Sequence, residues 1–232
     1  MNNISINDFQ YRSGHPPVAT VMNASTITIP PSLYLILFCL LSWTPGHAAE
    51  KWNDPHNYYL ATAQNRGDLL HNVEKYHLPQ GLEKLRQKKY RRAWEDFDFI
   101  LRYYPNHPKG LLYMSDLSLR MNKPVQAEKY FQKAFKLYPG YADTHALYGI
   151  FLQKSGKLDE AIRQYKKALS LAPDSSETHY NLGLALYNKG DYEGALQHAR
   201  VAYQLGFPLP GLRKKLRKIG KWTPATQDNA SK

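Results

Sequence analysis

Cysteine is nearly missing: the 232-residue chain has one, Cys39. Every other segment therefore lacks disulfide and thiol chemistry, which suits an envelope compartment without requiring it. Acid is scarce, with 19 Asp+Glu against 31 Lys+Arg and a net charge of +12. That balance favours nucleic acid, anionic lipid or acidic protein partners and does not choose among them. Recognisable catalytic signatures are absent. There is no metalloprotease His-Glu-x-x-His, no phosphate loop and no nucleophile elbow. The expectation is a non-enzyme with no catalytic residues, no metal site, no cofactor and no small-molecule substrate.

Charge is almost lacking before Ala48, where Asp8 and Arg12 are the only acid and base. The same region holds the 11-residue apolar stretch from Leu33 to Trp43, against about 20 residues for a membrane-spanning helix. Small-x-small follows it at Gly46-His47-Ala48. This reads as a secretory signal over residues 1–48, cleaved after Ala48, with a periplasmic or secreted mature chain. The alternative is an anchor in the inner membrane by residues 33–43. Met1 and Met22 are both candidate starts. Phe38 is too large for the position before a lipidated cysteine, so a lipid anchor is rejected.

Beyond the leader, one period organises the chain. Alanine recurs every 34 residues at Ala93, Ala127, Ala161 and Ala195. Four residues later stand Phe97, Phe131, Tyr165 and Ala199, and three further on Ile100, Ala134, Ala168 and Ala202. Pro105, Pro139 and Pro173 close three units, with Phe207 in the fourth. The units are 74–107, 108–141, 142–175 and 176–209. In the third, Leu147, Tyr148, Phe151 and Leu152 mark one helix face. Gly156 supplies its left-handed exit. Asp159 and Glu160 open a second helix, where acids suit the positive end, and Pro173 stops it. Such a helix pair cannot bury its apolar face alone, so neighbours must stack.

This pattern resembles the tetratricopeptide repeat family, in its length and its Leu-Gly…Tyr…Ala…Phe…Ala…Pro signature. The resemblance implies an all-α, right-handed α-solenoid of antiparallel helix pairs that binds protein partners. The first unit matches least, with Pro79 inside its expected first helix and Lys84 at an apolar place. That helix is expected to start near Pro79, after a lead-in over 49–73 with a separate short helix, about Asp68 to Tyr76. The segment 210–222 is expected to be a basic capping helix with an apolar stripe of Leu212, Leu216 and Ile219, and 223–232 a disordered tail.

Two surfaces are candidate sites. Within each unit, positions 5, 9 and 12 share a face with position 13, and the family lines its concave groove there. They give Leu78, Leu82, Leu85 and Arg86; Leu112, Asp116, Leu119 and Arg120; Ala146, Ile150, Gln153 and Lys154; and Tyr180, Leu184, Tyr187 and Asn188. A partly apolar groove edged by Arg86, Arg120 and Lys154 suits an acidic protein or peptide segment. Equally, the apolar residues could pack unit on unit or under 56–73. The asparagines of the family's carboxylate-clamp subgroup have no match here, so that specificity is not carried over. The second surface is Arg213, Lys214, Lys215, Arg217 and Lys218. It is a solvated cap face on one reading and a site for an anionic membrane surface on the other, with nucleic acid less favoured. The histidines His145 and His179, 34 residues apart, read as packed side chains where the family usually has an aromatic, rather than as a metal pair.

Overall fold

The computed structural model describes residues 54–61 and 67–223. The chain divides into two units, Met1–Asp54 and Pro55–Lys232. The expected signal of residues 1–48, the anchor over 33–43 and residues 224–232 of the expected tail lie outside the described residues. The described helices all belong to the second unit.

Among the described residues ten α-helices run in order: α1 (Gly67–Asn72), α2 (Leu78–Arg86), α3 (Tyr90–Tyr103), α4 (Pro108–Arg120), α5 (Pro124–Leu137), α6 (Ala142–Lys154), α7 (Leu158–Leu171), α8 (Ser176–Lys189), α9 (Tyr192–Gln204) and α10 (Gly211–Lys218). The pairs α2/α3, α4/α5, α6/α7 and α8/α9 stack into a helical solenoid. First helices touch first helices, α2 with α4, α4 with α6 and α6 with α8, while second helices meet more sparsely. The first helices therefore form the inner layer.

The recurring small residues explain the pairing. Ala93, Ala127, Ala161 and Ala195 are all buried, and they let the two helices of a pair cross closely. Opposite them stand glycines. A methyl group added at Gly149 would lie 2.6 Å from the ring of Tyr165, and one at Gly81 2.7 Å from that of Phe97. In the first and third units the ring four residues after the alanine thus lies against the bare backbone of the partner helix, whereas the second unit has Ser115 at the glycine's place and the fourth has Ala199 at the ring's. The turn between the helices needs a left-handed residue at the same place in every unit. Glycine serves at Gly156 (φ +80°) and Gly190 (φ +90°), while Lys88 (φ +58°) and Asn122 (φ +55°) accept it with a Cβ. Pro108 and Pro124 sit in the first turns of α4 and α5, where the missing N–H costs nothing.

The first unit corrects one expectation. No break separates a short helix from α2. The chain stays helical from Gly67 to Arg86 through a π-helical turn at Val73–His77. There the Leu78 N–H donates to the Val73 carbonyl, five residues back. A proline ring collides with the carbonyl four residues before it in an α-helix. Widening the turn immediately before Pro79 relieves that collision without ending the helix. Lys84, the other misfit, is compensated: its Nζ lies 2.6 Å from Asp96, which is 7% exposed and sits 3.7 Å from His77 Nδ1.

The C-terminal helix packs on α8 and α9. Leu212 and Leu216 are fully buried, but Ile219 lies past the helix end and is exposed. The expected stripe is thus two residues long. At the other end, residues 55–61 form an extended strap with a 3-10 turn at Tyr58–Leu60.

Candidate binding face

The inner layer brings the ladder residues together on consecutive first helices, but it sorts them by depth. Ile150 (4% exposed), Leu184 (7%) and Tyr180 (8%) are buried. Tyr180 packs inside its own unit, stacking on Phe207 at 4.2 Å. Leu82, Leu119 and Tyr187 are half-buried, and Asn188 is exposed. Only this second group can meet a ligand without repacking.

The bases are not free charges. Arg86 Nη2 lies 2.6 Å from Glu83 Oε2 on its own helix. Arg120 Nε lies 2.5 Å from Asp116 Oδ2, and Lys154 Nζ approaches the other oxygen of the same carboxylate at 3.8 Å. Asp116 is 9% exposed. Arg120 is held above its ordinary pKa, chiefly by the hydrogen bond to Asp116. The Lys154 ammonium is pushed down by burial, which the pull of Asp116 only partly offsets. Two cations around one buried carboxylate leave a single net positive charge between α4 and α6. Asp116 is the central residue of the face, and its signal is the Asp-x-x-x-Arg spacing that joins it to Arg120 on one helix face.

The second surface also divides. The Arg213 guanidinium lies 4.1 Å over the Tyr203 ring and 5.3 Å from that of Trp222. Lys215 Nζ is 5.2 Å over Tyr187. Lys214, Arg217 and Lys218 are exposed. Lys215 thus joins the end of the inner face to the capping helix, and the other three cations face solvent.

His145 and His179 are packed as side chains, each bridging its helix pair. His145 Nδ1 meets the Gln164 side chain at 2.8 Å, and His179 Nδ1 meets His198 Nδ1 at 2.9 Å. Among the described residues no three metal-ligating side chains converge, and no described helix is long and apolar enough to cross a membrane.

Stacked helix pairs presenting one inner layer define the molecule as a helical repeat protein. Family models give the class its name: a TPR repeat at residues 151–190, and tetratricopeptide repeats at 176–206 and 78–150. The chain is a tetratricopeptide repeat protein, one of a class that binds protein or peptide partners. Solved structures similar to it include MamA 41-end from Desulfovibrio magneticus RS-1, 23% identical, covering 56% of this chain and 73% of that one with a TM-score of 0.45. Another is YrrB, described as a TPR protein with an unusual peptide-binding site, 22% identical, covering 61% and 73% with a TM-score of 0.46. No curated protein sequence matches the chain.

Proposed function

We propose that this chain is a non-catalytic scaffold of the cell envelope that holds an extended protein segment along its inner face. The observation that supports it is the row of half-buried Leu82, Leu119 and Tyr187 beside the Arg120–Asp116–Lys154 cluster. Half-buried apolar side chains on either side of one net positive charge suit a peptide with aliphatic or aromatic anchors and one carboxylate between them. A ligand with a carboxylate for each of Arg86, Arg120 and Lys154 fits less well, because Glu83 and Asp116 already engage those bases. The envelope location rests on the apolar stretch Leu33–Trp43 and the Gly46-His47-Ala48 that follows it. An intact mass from native cells starting at Ala49 is expected; a mass retaining residues 1–48 would favour the anchored reading.

Reversing the three bases is a poor test, because it leaves buried Asp116 facing new negative charge. The replacement Leu119→Ser with Tyr187→Ser removes contact surface and leaves every ion pair standing. Partner retained from an envelope extract should fall at least tenfold with this pair at a temperature where circular dichroism shows the variant fully folded. The control reverses Lys214, Arg217 and Lys218 to Glu. These exposed cations beside exposed Ile219 favour a second reading, contact with an anionic membrane surface. Loss of partner with the control and none with the inner-face pair would replace the first reading by the second. Binding to anionic vesicles that collapses with salt would then identify the surface.

A further inference from the structure

Residues 55–61 lie across the loops that join the first three units, and side-chain chemistry holds them there. Asn106 is fully buried. Its Oδ1 accepts the Tyr58 backbone N–H at 2.9 Å, and its Nδ2 donates to Asn57 Oδ1 at 2.8 Å. Asn57 Nδ2 donates in turn to the Tyr141 hydroxyl at 2.6 Å. Both ends of the Asn57 amide are thereby read. The Tyr59 ring stacks on Tyr141 at 4.6 Å, and its hydroxyl donates to Asp143 at 2.6 Å. Tyr58 lies 4.7 Å from the buried His107 ring, with its hydroxyl 3.5 Å from Glu74. The main chain is held as well. The His56 N–H donates to the Tyr103 carbonyl at 2.6 Å, and the Tyr138 hydroxyl donates to the Pro55 carbonyl at 2.8 Å.

This is how a peptide is recognised: main-chain hydrogen bonds, an amide read on both sides and two ring-lined subsites. No apolar side chain of the 3-10 turn is buried, and Leu60 points to solvent. Of the strap's side chains only His56 is buried, with its ring 5.8 Å from that of Tyr104, so the rest of the strap contributes recognition rather than core. The receiving residues are also peculiar to this edge. Asn106 has Gly140 and Asp174 at the same place in the next units, and Tyr141 has Ser175. We propose that the edge built by Tyr104–His107 and Tyr138–Tyr141 is a second peptide-binding site, filled in cis by residues 55–61, which exchanges them for a partner segment bearing a side-chain amide followed by two phenols. Burial and Glu74 push the Tyr58 hydroxyl up to about 12, so it stays a neutral donor in this subsite. A tethered strap acts at an effective concentration on the order of mM. It shuts the site to weak ligands and admits a partner that is tight or already bound elsewhere on the molecule. The site shares no residue with the inner-face ladder, so its failure would leave that reading standing.

The test uses the full chain and a fluorescent peptide with the sequence of residues 54–61, Asp-Pro-His-Asn-Tyr-Tyr-Leu-Ala, read by anisotropy. The parent should show no binding at micromolar peptide. The triple variant Asn57→Ala, Tyr58→Ala and Tyr59→Ala, and more weakly Asn57→Ala alone, should bind it saturably. Adding Asn106→Ala should weaken that binding at least tenfold, and a scrambled peptide should not bind. Folded strap variants that bind nothing, equal binding by parent and variant, or binding indifferent to Asn106→Ala would each overturn the proposal. Unfolding of both strap variants would make residues 55–61 part of the core and overturn it too.

Discussion

At the residue scale the repeat is a set of comparable sites, and one pair of positions shows what each unit does with a polar crossing. In three of the four units the fourth residue of the unit meets the twenty-third. The pairs are His77 with Asp96, His145 with Gln164 and His179 with His198. His179 Nε2 lies 2.9 Å from the Pro173 carbonyl. A carbonyl only accepts, so Nε2 carries the hydrogen, Nδ1 accepts, and His198 must donate from its own Nδ1. A second proton on His198 goes to Nε2 and leaves its Nδ1–H donor in place, so what opposes that charge is burial and the neighbouring side chains rather than loss of the bridge. Burial, then His179 and Lys166, push the His198 imidazole below its ordinary pKa, while Asp191 pulls weakly the other way. A depressed imidazole contributes stability that is present above about pH 6.5 and lost as pH falls through the folded value. His198→Gln copies the neighbouring His145–Gln164 bridge. Urea unfolding should show the variant losing less stability than the parent between pH 7.5 and 5. At pH 7.5 the two should differ by no more than about 0.5–1.5 kcal/mol, one hydrogen bond. Parallel pH curves would show that His198 is not the titrating group. The histidines could be read from sequence as packed, but their partners 19 residues on could not, because a single period does not say which side chains cross. Asp116 was hidden for a related reason. A charged residue in an apolar row looks like an interruption until a cation from the next unit reaches it.

At the scale of the element, departures from the repeat mark where something else fills the space. The ring at Phe97, Phe131 and Tyr165 gives way to Ala199 in the last unit. Leu212 of α10 takes its place, lying 2.6 Å from where a methyl group on Gly183 would stand. The cap is thus a surrogate side chain as well as a lid. Leu212 is fully buried, so Leu212→Ala should cost about 2–5 kcal/mol of unfolding free energy. Ile219→Ala, at an exposed place in the same segment, should stay within about 0.5 kcal/mol. Equal losses would mean that α10 is held by the whole stripe. Helix positions, turns and the capping role were legible from spacing alone. The π-helical turn was not, because sequence marks Pro79 as a stop and only packing against α3 shows that the helix continues through it.

On the whole-molecule scale a solenoid is nearly one-dimensional, each unit answering to its neighbours. The strap is the exception: it ties residues 57 and 59 to 141 and 143, contacts that no 34-residue period can announce. Charge is the other property that belongs to the whole chain. Three exposed bridges run between successive units, or from the last unit to the segment after α10. Lys157 meets Glu128 at 2.7 Å, Lys189 meets Asp159, and Lys221 meets Glu193 at 2.6 Å. Exposed pairs of this kind contribute about 0–1 kcal/mol each and weaken with salt. Against them stands a net charge of +12, whose self-repulsion opposes the compact state and is screened by the same salt. The bridges act over a few ångströms, where screening is weak. The repulsion acts between cations spread along the stack, many of them beyond the Debye length of about 10 Å at 0.1 M. Screening should therefore remove more repulsion than attraction. The melting temperature of the full chain should rise by a few degrees from 20 to 300 mM NaCl, and reversing Lys214, Arg217 and Lys218 to Glu should shrink that rise. A fall in melting temperature with salt would mean that the bridges between units, not the excess of cations, set the electrostatic balance of the stack.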